Sequence, residues 1–376
     1  MTKKTFLLVA MCATVCMASA QDKMRVWVGG IPAEYPVSVV DSVTFLLSDT
    51  PVEPDIPDPD PTPTPAEGLG IFSVAAGKTV AFASGNLQYN AVQGSHLRAD
   101  GTKARGTWRF AEHQYDYIGS DNKNISETYD GWIDLFGWGT SGYDNTANDE
   151  CAFRFQPWSS ATSSISSVPK DSTLNCETVE ITGECEWEYT YYNSSNNLYG
   201  YGPSTNMTDK NLTGTSAYYD WGVYNAISNA GNEAGLWRTL TEAEWSYLLN
   251  TRTNAQYLWS PATVNGVKGI IILPDNYKKP ASITWTPKAG DWTTNTYNVD
   301  EWKLLEDWGS VFLPASDERD GLDVVGSALQ NNKGYYLSAT CLNTREMLCL
   351  FFNSGKAITL RSNRYDGYAV RLVQDL

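Results

Sequence analysis

The stretch Leu236 to Leu249, LWRTLTEAEWSYLL, limits the possible folds more than any other part of the chain, because it carries both the start of a helix and the face by which that helix docks. Thr241 stands three residues before Glu244, so its hydroxyl accepts from the Glu244 amide while the Glu244 carboxylate reaches back to the Thr241 amide, a capping box. Leu240, just before the cap, and Trp245, inside the first turns, are placed as a hydrophobic staple that sets the angle of chain entry. Trp245, Leu248 and Leu249 recur at helical spacing and give one apolar face. The spacing predicts a short helix with a defined start and a docking side.

The same residues carry a resemblance. The run Trp237-Arg238-Thr239-Leu240-Thr241-Glu242-Ala243-Glu244-Trp245 is similar to the signature RLPTEAEW of the formylglycine-generating-enzyme/sulfatase-modifying-factor superfamily, whose fold is a variant of the C-type lectin fold. It also resembles the W-R-L-P-T-x-x-E-W segment of the Fibrobacter succinogenes major paralogous domain family, secreted bacterial modules that end roughly in Y-W-S-S-T, L-x-F and G-x-x-V-R-x-V. Here that end reads Tyr335-Tyr336-Leu337-Ser338-Ala339-Thr340, then Leu350-Phe351-Phe352, then Gly367-Tyr368-Ala369-Val370-Arg371-Leu372-Val373. Thr239 stands where the family has proline, and Leu337 where it has tryptophan. The resemblance spans residues 68–376, with its specific motifs in the last third. It implies an α+β, C-type-lectin-like (formylglycine-generating-enzyme-like) domain with a central antiparallel sheet, few helices and long irregular loops. It speaks to fold more than activity, because function sits in sites grafted onto folds.

With 42% hydrophobic residues, 14 Trp and 22 Tyr among 376 positions, the chain has the material for a packed core of one large domain or two smaller ones. A formal charge of −16 disfavours nucleic acid, whose phosphates are bound by basic patches. Residues 1–20 read as a secretory signal: Lys3 and Lys4, an apolar run from Phe6 to Met17, then Ala18-Ser19-Ala20 before Gln21. No other apolar run approaches the roughly 18 residues that cross a bilayer. No transmembrane segment is therefore expected, and the chain reads as secreted or held at the cell surface, outer-membrane association included. Cys12 and Cys16 raise the question of a lipoprotein, but small residues do not precede either one in the pattern that lipid attachment favours.

Residues 21–50 read as a short β leader, strand-like from Met24 to Val28 and from Val43 to Leu47, with a bend at Ile31-Pro32-Ala33-Glu34. Residues 51–67, PVEPDIPDPDPTPTPAE, form a Pro/Asp-rich linker that favours extended polyproline geometry. At about 3.1 Å per residue it reaches roughly 50 Å, the arrangement of a surface-displayed module. The main domain, 68–376, opens with strands at Gly70 to Ala75, Thr79 to Ala83, Asn86 to Tyr89 and Thr107 to Phe110. An aromatic and glycine-rich segment and a Ser/Thr/Asn/Tyr-rich loop region at 156–216 precede the capped helix. After it come a buried strand at Gly266 to Leu273, a helix from Asp300 to Trp308 capped by Asp300 with Trp302, Leu305 and Leu304 inward, and a strand at Val311 to Pro314. Strands at Tyr335 to Thr340, Met347 to Phe352, Lys356 to Arg361 and Gly367 to Val373 close the chain.

Catalytic motifs are scarce. His96 and His113 are too few for the three-histidine iron site of sulfoxide synthases, which share this superfold. Cys341 and Cys349 are eight apart, without the tight cysteine pair through which formylglycine-generating enzymes work. On two candidate strands they are either bridged or both small buried apolar residues. With Cys151, Cys176 and Cys185 they make an odd count after the signal, so at least one thiol stays outside any disulfide framework. There is no G-x-S-x-G elbow, HExxH or phosphate loop. Acid pairs among Asp134, Asp144, Asp149, Glu150, Asp220 and Glu233 arise by chance in a chain with 43 acids.

Calcium is the cofactor the residues allow. Asp220, Asn225, Asn229, Asn232 and Glu233 crowd ahead of the central helix, with Asp220, Asn229 and Glu233 as its ligands; the same residues are also ordinary turn and cap formers. Trp132, Trp138, Tyr143 and the cluster Tyr189, Tyr191, Tyr192 suit either a core or a binding surface. By analogy with lectin-like ligand binders, Tyr336, Asn343, Thr344, Arg345, Asn363, Arg364, Tyr365 and Asp366 are the candidate ligand-binding residues. The expected function is a secreted, surface-displayed, non-catalytic binding or adhesion module recognising a glycan or extracellular protein. The alternatives are an exported polysaccharide-acting enzyme with a carboxylate pair, and a structural subunit of a surface assembly.

Overall fold

The structure, a computed structural model, describes residues 23–28, 31–36, 70–143, 156–158, 211–320, 323–325, 332–342, 346–364 and 366–376. The signal at 1–20, the strand at Val43 to Leu47, the linker at 51–67, the tyrosine loop at 189–192 and Cys151, Cys176 and Cys185 lie outside these residues. The chain divides into two units, Met1–Thr62 and Pro63–Leu376. In the first, β1 (Lys23–Val28) and β2 (Ile31–Pro36) pair antiparallel with Val28 opposite Ile31. Residues 31–34, expected as a bend, are therefore strand: Gly29-Gly30 between the paired residues is a stronger hairpin signal than Pro32.

The second unit is α+β, mostly strands with few helices. In chain order it holds β3 (Phe72–Ala75), β4 (Lys78–Phe82), β5 (Leu87–Leu97), β6 (Lys103–Phe110), α1 (Trp221–Tyr224), β7 (Arg238–Thr239), α2 (Glu242–Ser246), β8 (Trp259–Val264) and β9 (Val267–Ile272). It continues with β10 (Thr296–Tyr297), α3 (Val299–Glu306), β11 (Val311–Pro314), β12 (Glu318–Asp320), β13 (Asp323–Val325), β14 (Lys333–Cys341), β15 (Glu346–Asn353), β16 (Lys356–Asn363) and β17 (Leu372–Asp375). These strands form several small sheets, not the single central one expected.

The sheet β3-β4-β17-β7 joins the first and last strands of the unit, with Val373 opposite Phe82 and Leu372 opposite Thr239. Because β7 is only two residues long, the chain leaves this sheet directly into the cap of α2. The capping box is formed as read: Thr241 Oγ1 accepts from the Glu244 amide at 3.2 Å, and the Thr241 amide donates to Glu244 Oε2 at 2.8 Å. Leu240 and Trp245 are fully buried in one apolar cluster with Phe72, Phe82, Leu248 and Leu249, so the staple and the docking face are both present. After Ser246 the helix widens into a π-helical turn, Tyr247–Thr251.

Glu244 does more than cap. Its carboxylate also accepts from Arg238 at 2.8 and 2.9 Å and from Lys78 at 2.9 Å, and Arg238 donates to Asp375 at 2.6 Å. One acid thus ties α2 to β7 and β4 directly, and through Arg238 to β17. Burial alone would raise its pKa, but the arginine and lysine more than offset this and hold it at about 2.

In the sheet β10-β8-β9-β11, β8 and β9 form a hairpin. Asn265 at φ 48° and Gly266 at φ 79° make its turn, where both residues need the left-handed region. Pro261 hid β8 from the sequence reading. It is tolerated because β10 pairs only with Thr263 and Val264, leaving Pro261 on an open edge. The meander β14-β15-β16 sets Leu337 opposite Cys349 and Cys341 opposite Met347, so the two cysteines do not face each other. Cys349 is a small buried core residue with no disulfide, and burial pushes its thiol pKa up.

Helix α3 is capped two residues earlier than expected. Asn298, not Asp300, makes the box with Glu301. Trp302 and Leu305 are buried as read, whereas Leu304 is 42% exposed.

Candidate functional site

The carboxyl-terminal candidates separate into three groups. Tyr336 and Arg364 are fully buried and are corrections. On β14, Tyr336 points inward; its hydroxyl donates to the Pro314 carbonyl at 3.0 Å and accepts from Asn86 at 3.1 Å. The Arg364 guanidinium lies 4.3 Å from the centre of the Trp138 ring, itself a core indole donating to the Ser338 carbonyl at 2.8 Å. Asn343, Thr344, Arg345 and Tyr365 lie outside the described residues. Asn363 and Asp366 are brought together, the amide donating to the carboxylate at 3.1 Å.

Those two belong to a half-buried polar cluster. The Tyr368 hydroxyl lies 3.0 Å from Asp366 Oδ2, 3.4 Å from Glu318 Oε2 and 2.5 Å from Ser362 Oγ, and Lys333 donates to Glu318 at 2.8 Å. Burial raises the Asp366 pKa to about 7; hydrogen bonds from Asn363 and Tyr368 pull it down, while Asp320 and Glu318 push it up. Tyr368 itself is 1% exposed, so the hydroxyl joining the two acids is closed to a substrate atom.

The calcium set is not assembled. Asp220 is fully buried at the cap of α1: Oδ1 accepts from the Gly222 amide at 3.1 Å and Oδ2 from the Thr239 amide at 2.7 Å. Burial still raises it, to about 6. Asn229 uses its side-chain oxygen and nitrogen on the Phe110 amide and carbonyl, and Asn225 bonds His96 and the Ser141 and Trp221 carbonyls. Asn232 sits at φ 53° in a turn, and Glu233 is exposed. Among the described residues, no group of three or more His, Cys, Asp or Glu side chains is placed to hold a metal. These residues serve as caps and turns because their backbone partners are nearer than any shared ion site.

A groove of about 220 Å³, missed in the sequence, is built from four separate segments. Asn250 lies in the π-helical turn, Trp259 and Pro261 come from β8, Lys288 and Gly290 from the loop after β9, Ser354 and Gly355 from the turn between β15 and β16, and Lys356 and Ala357 from the start of β16. No Asp or Glu lines it. Trp259, 5% exposed, donates its indole N–H to the Leu249 carbonyl at 3.2 Å, and Lys288 Nζ lies 5.2 Å from its ring centre.

Both lysines stand on braced backbone. Lys288 is held at φ 48°, a left-handed conformation that costs a residue with a Cβ on the order of 1 kcal/mol. Its amide donates to the Trp259 carbonyl at 3.1 Å, and the next amide, Ala289, donates to Ser260 Oγ at 3.0 Å. Buried Asn295 completes the brace, bonding Ser260 Oγ at 2.8 Å, the Thr286 carbonyl at 2.8 Å and the Thr286 amide at 3.0 Å. Across the groove, Asn353 Oδ1 accepts from the Gly355 and Lys356 amides at 2.9 and 3.1 Å, fixing the turn that presents Lys356.

Compared with family models, curated proteins and solved structures, the chain matches none. Among the described residues, no helix is long and apolar enough to cross a membrane.

Proposed function

We propose that this chain is a secreted, surface-displayed, non-catalytic binding or adhesion module, on a C-type-lectin-like scaffold, that takes a glycan or extracellular protein ligand. The observation that carries this reading is the groove over Trp259: an open depression lined by Lys288, Lys356, Asn250 and Ser354, with both lysines on braced backbone and no carboxylate in the lining. Pre-formed clefts with few, fixed polar groups are what small ligand units use. Support for the scaffold is the capping-box helix set against a sheet that joins both ends of the unit. Support for surface display is the signal and linker reading of residues 1–67.

The intact chain should be retained by at least one member of a panel of immobilised glycans and extracellular proteins. The double variant K288E/K356E should lose that retention while keeping the parent thermal midpoint. Retention unchanged in the double variant would overturn the assignment.

A second reading, an exported enzyme acting on polysaccharide, is favoured by one observation: the raised Asp366 carboxyl and Glu318 share the Tyr368 hydroxyl. Glycoside hydrolysis needs two acids flanking the scissile bond, one of them protonated; here the closed Tyr368 hydroxyl fills the space between the pair, which counts against this reading. It requires reducing ends released by the intact chain and no release by Glu318→Gln.

A further inference from the structure

We propose, resting on the binding reading above, that the Trp259 groove takes an acidic sugar residue, a uronate or sulfated unit within a longer polysaccharide. Across a chain of net charge −16, the groove is a local reversal of sign: Lys288 and Lys356 flank it and no acid answers them from its walls. Neither ammonium has a carboxylate partner among the described ion pairs: Lys288 lies on Trp259 of the groove wall at 5.2 Å, and Lys356, at the rim, on Phe351 outside the lining at 5.4 Å. Two lysines in a lining that holds no carboxylate leave an anion as the missing partner.

The geometry also argues against a neutral sugar. Neutral rings are held by stacking on an open aromatic face, and the Trp259 indole is 5% exposed with a lysine drawn over it. What remains for recognition is charge plus hydrogen bonds from Asn250 and Ser354, with Gly290 and Gly355 letting a ring come close to backbone. A volume of about 220 Å³ falls below that of a drug-sized site, which suits one residue of a polymer passing over an open groove. A peptide that adds to a strand edge needs free backbone groups there. Along this groove β8 offers none: Pro261 has no amide and its carbonyl accepts from Asn295 at 3.2 Å, and the Trp259 carbonyl accepts from the Lys288 amide.

The test titrates the intact chain with a soluble polyuronate, with the same polymer after its carboxyls are reduced to alcohols, and with polyglutamate. The polyuronate should bind at least about ten-fold more tightly than the reduced polymer and than polyglutamate. Raising salt from 0.05 to 0.5 M should weaken it, since the Debye length then contracts well below about 10 Å. Lys288→Gln and Lys356→Gln should each weaken it about three-fold and together about ten-fold, in the range of exposed charge contacts, with thermal midpoints unchanged. Equal binding of the reduced polymer overturns the anionic assignment and leaves the binding reading standing. Equal binding of polyglutamate overturns the sugar. If the panel and all three polymers fail to bind, the binding reading itself falls.

Discussion

Trp245→Ala is expected to cost about 3–5 kcal/mol of unfolding free energy, while Trp245→Phe costs less than about 1.5. The indole is fully buried between the cap of α2 and the sheet, packed with Leu240 and with Phe82, whose ring centre lies 5.7 Å away. Alanine leaves a cavity that neighbours fixed by a capping box on one side and paired strands on the other cannot close. Phenylalanine keeps most of the packing. It also removes an indole N–H that is buried without a hydrogen-bond partner, which offsets part of the loss. Against a total of roughly 5–15 kcal/mol for a typical domain, the alanine change consumes about a fifth or more. Urea midpoints of the two variants check this. Similar, small shifts for both would mean that Trp245 does not seat the helix.

Stability should be greatest near pH 4–5 and fall as pH rises to 7. Asp134 and Asp220 are raised to about 6 and Asp366 to about 7, in each case chiefly by burial. An aspartate in the unfolded chain titrates near 3.8, so between pH 4 and the folded values the native state keeps protons that the unfolded chain has released. Stability contributed by the protonated forms is therefore lost on the way up. Each tenfold difference in proton affinity between the folded and unfolded chain is worth about 1.4 kcal/mol, and three such groups make a fall of several kcal/mol.

Below pH 4.5 the sign reverses. Glu244, held at about 2 by Arg238 and Lys78 against its own burial, stabilises above its unfolded value and loses that contribution as pH falls through 2. His96 opposes the main trend: burial lowers its pKa, so acid below about 6.5 favours the unfolded, protonated imidazole. It is one group against those three and Asp317, which burial also raises, to about 6. Urea midpoints from pH 3 to 8 should show the maximum, and Asp366→Asn should flatten the decline above pH 5. A midpoint that climbs steadily from pH 4 to 7 would contradict the assignment.

What the sequence revealed was what short-range chemistry decides. The Thr241–Glu244 box and the Leu240–Trp245 staple involve residues within one helical turn or so, and both are present. Val311–Pro314 and the last three long strands follow from runs of apolar residues. Where two nearby residues could both cap, at Asn298 and Asp300, spacing to Glu301 decided, and the earlier one won. Arg364 looks like a loop residue in sequence, and Tyr336 falls in the strand expected from Tyr335 to Thr340, whose alternation does not say which face is inward; tertiary packing buries both, against Trp138 and Pro314. The groove had no local signature, because Asn250, Trp259, Lys288 and Lys356 meet only after two sheets and the π-helical turn are in place. The one faint sign was Asn353-Ser354-Gly355-Lys356, whose Asn and Gly announce a tight turn presenting a lysine.

The central claim is that recognition resides at Lys288 and Lys356 and not at the acids around Tyr368. The most direct measurement is polyuronate affinity of the intact chain beside K288E/K356E and Glu318→Gln, all confirmed as folded by thermal midpoint. The account predicts binding abolished by the lysine reversals and unchanged by Glu318→Gln. Binding that survives the reversals and disappears with Glu318→Gln would contradict it.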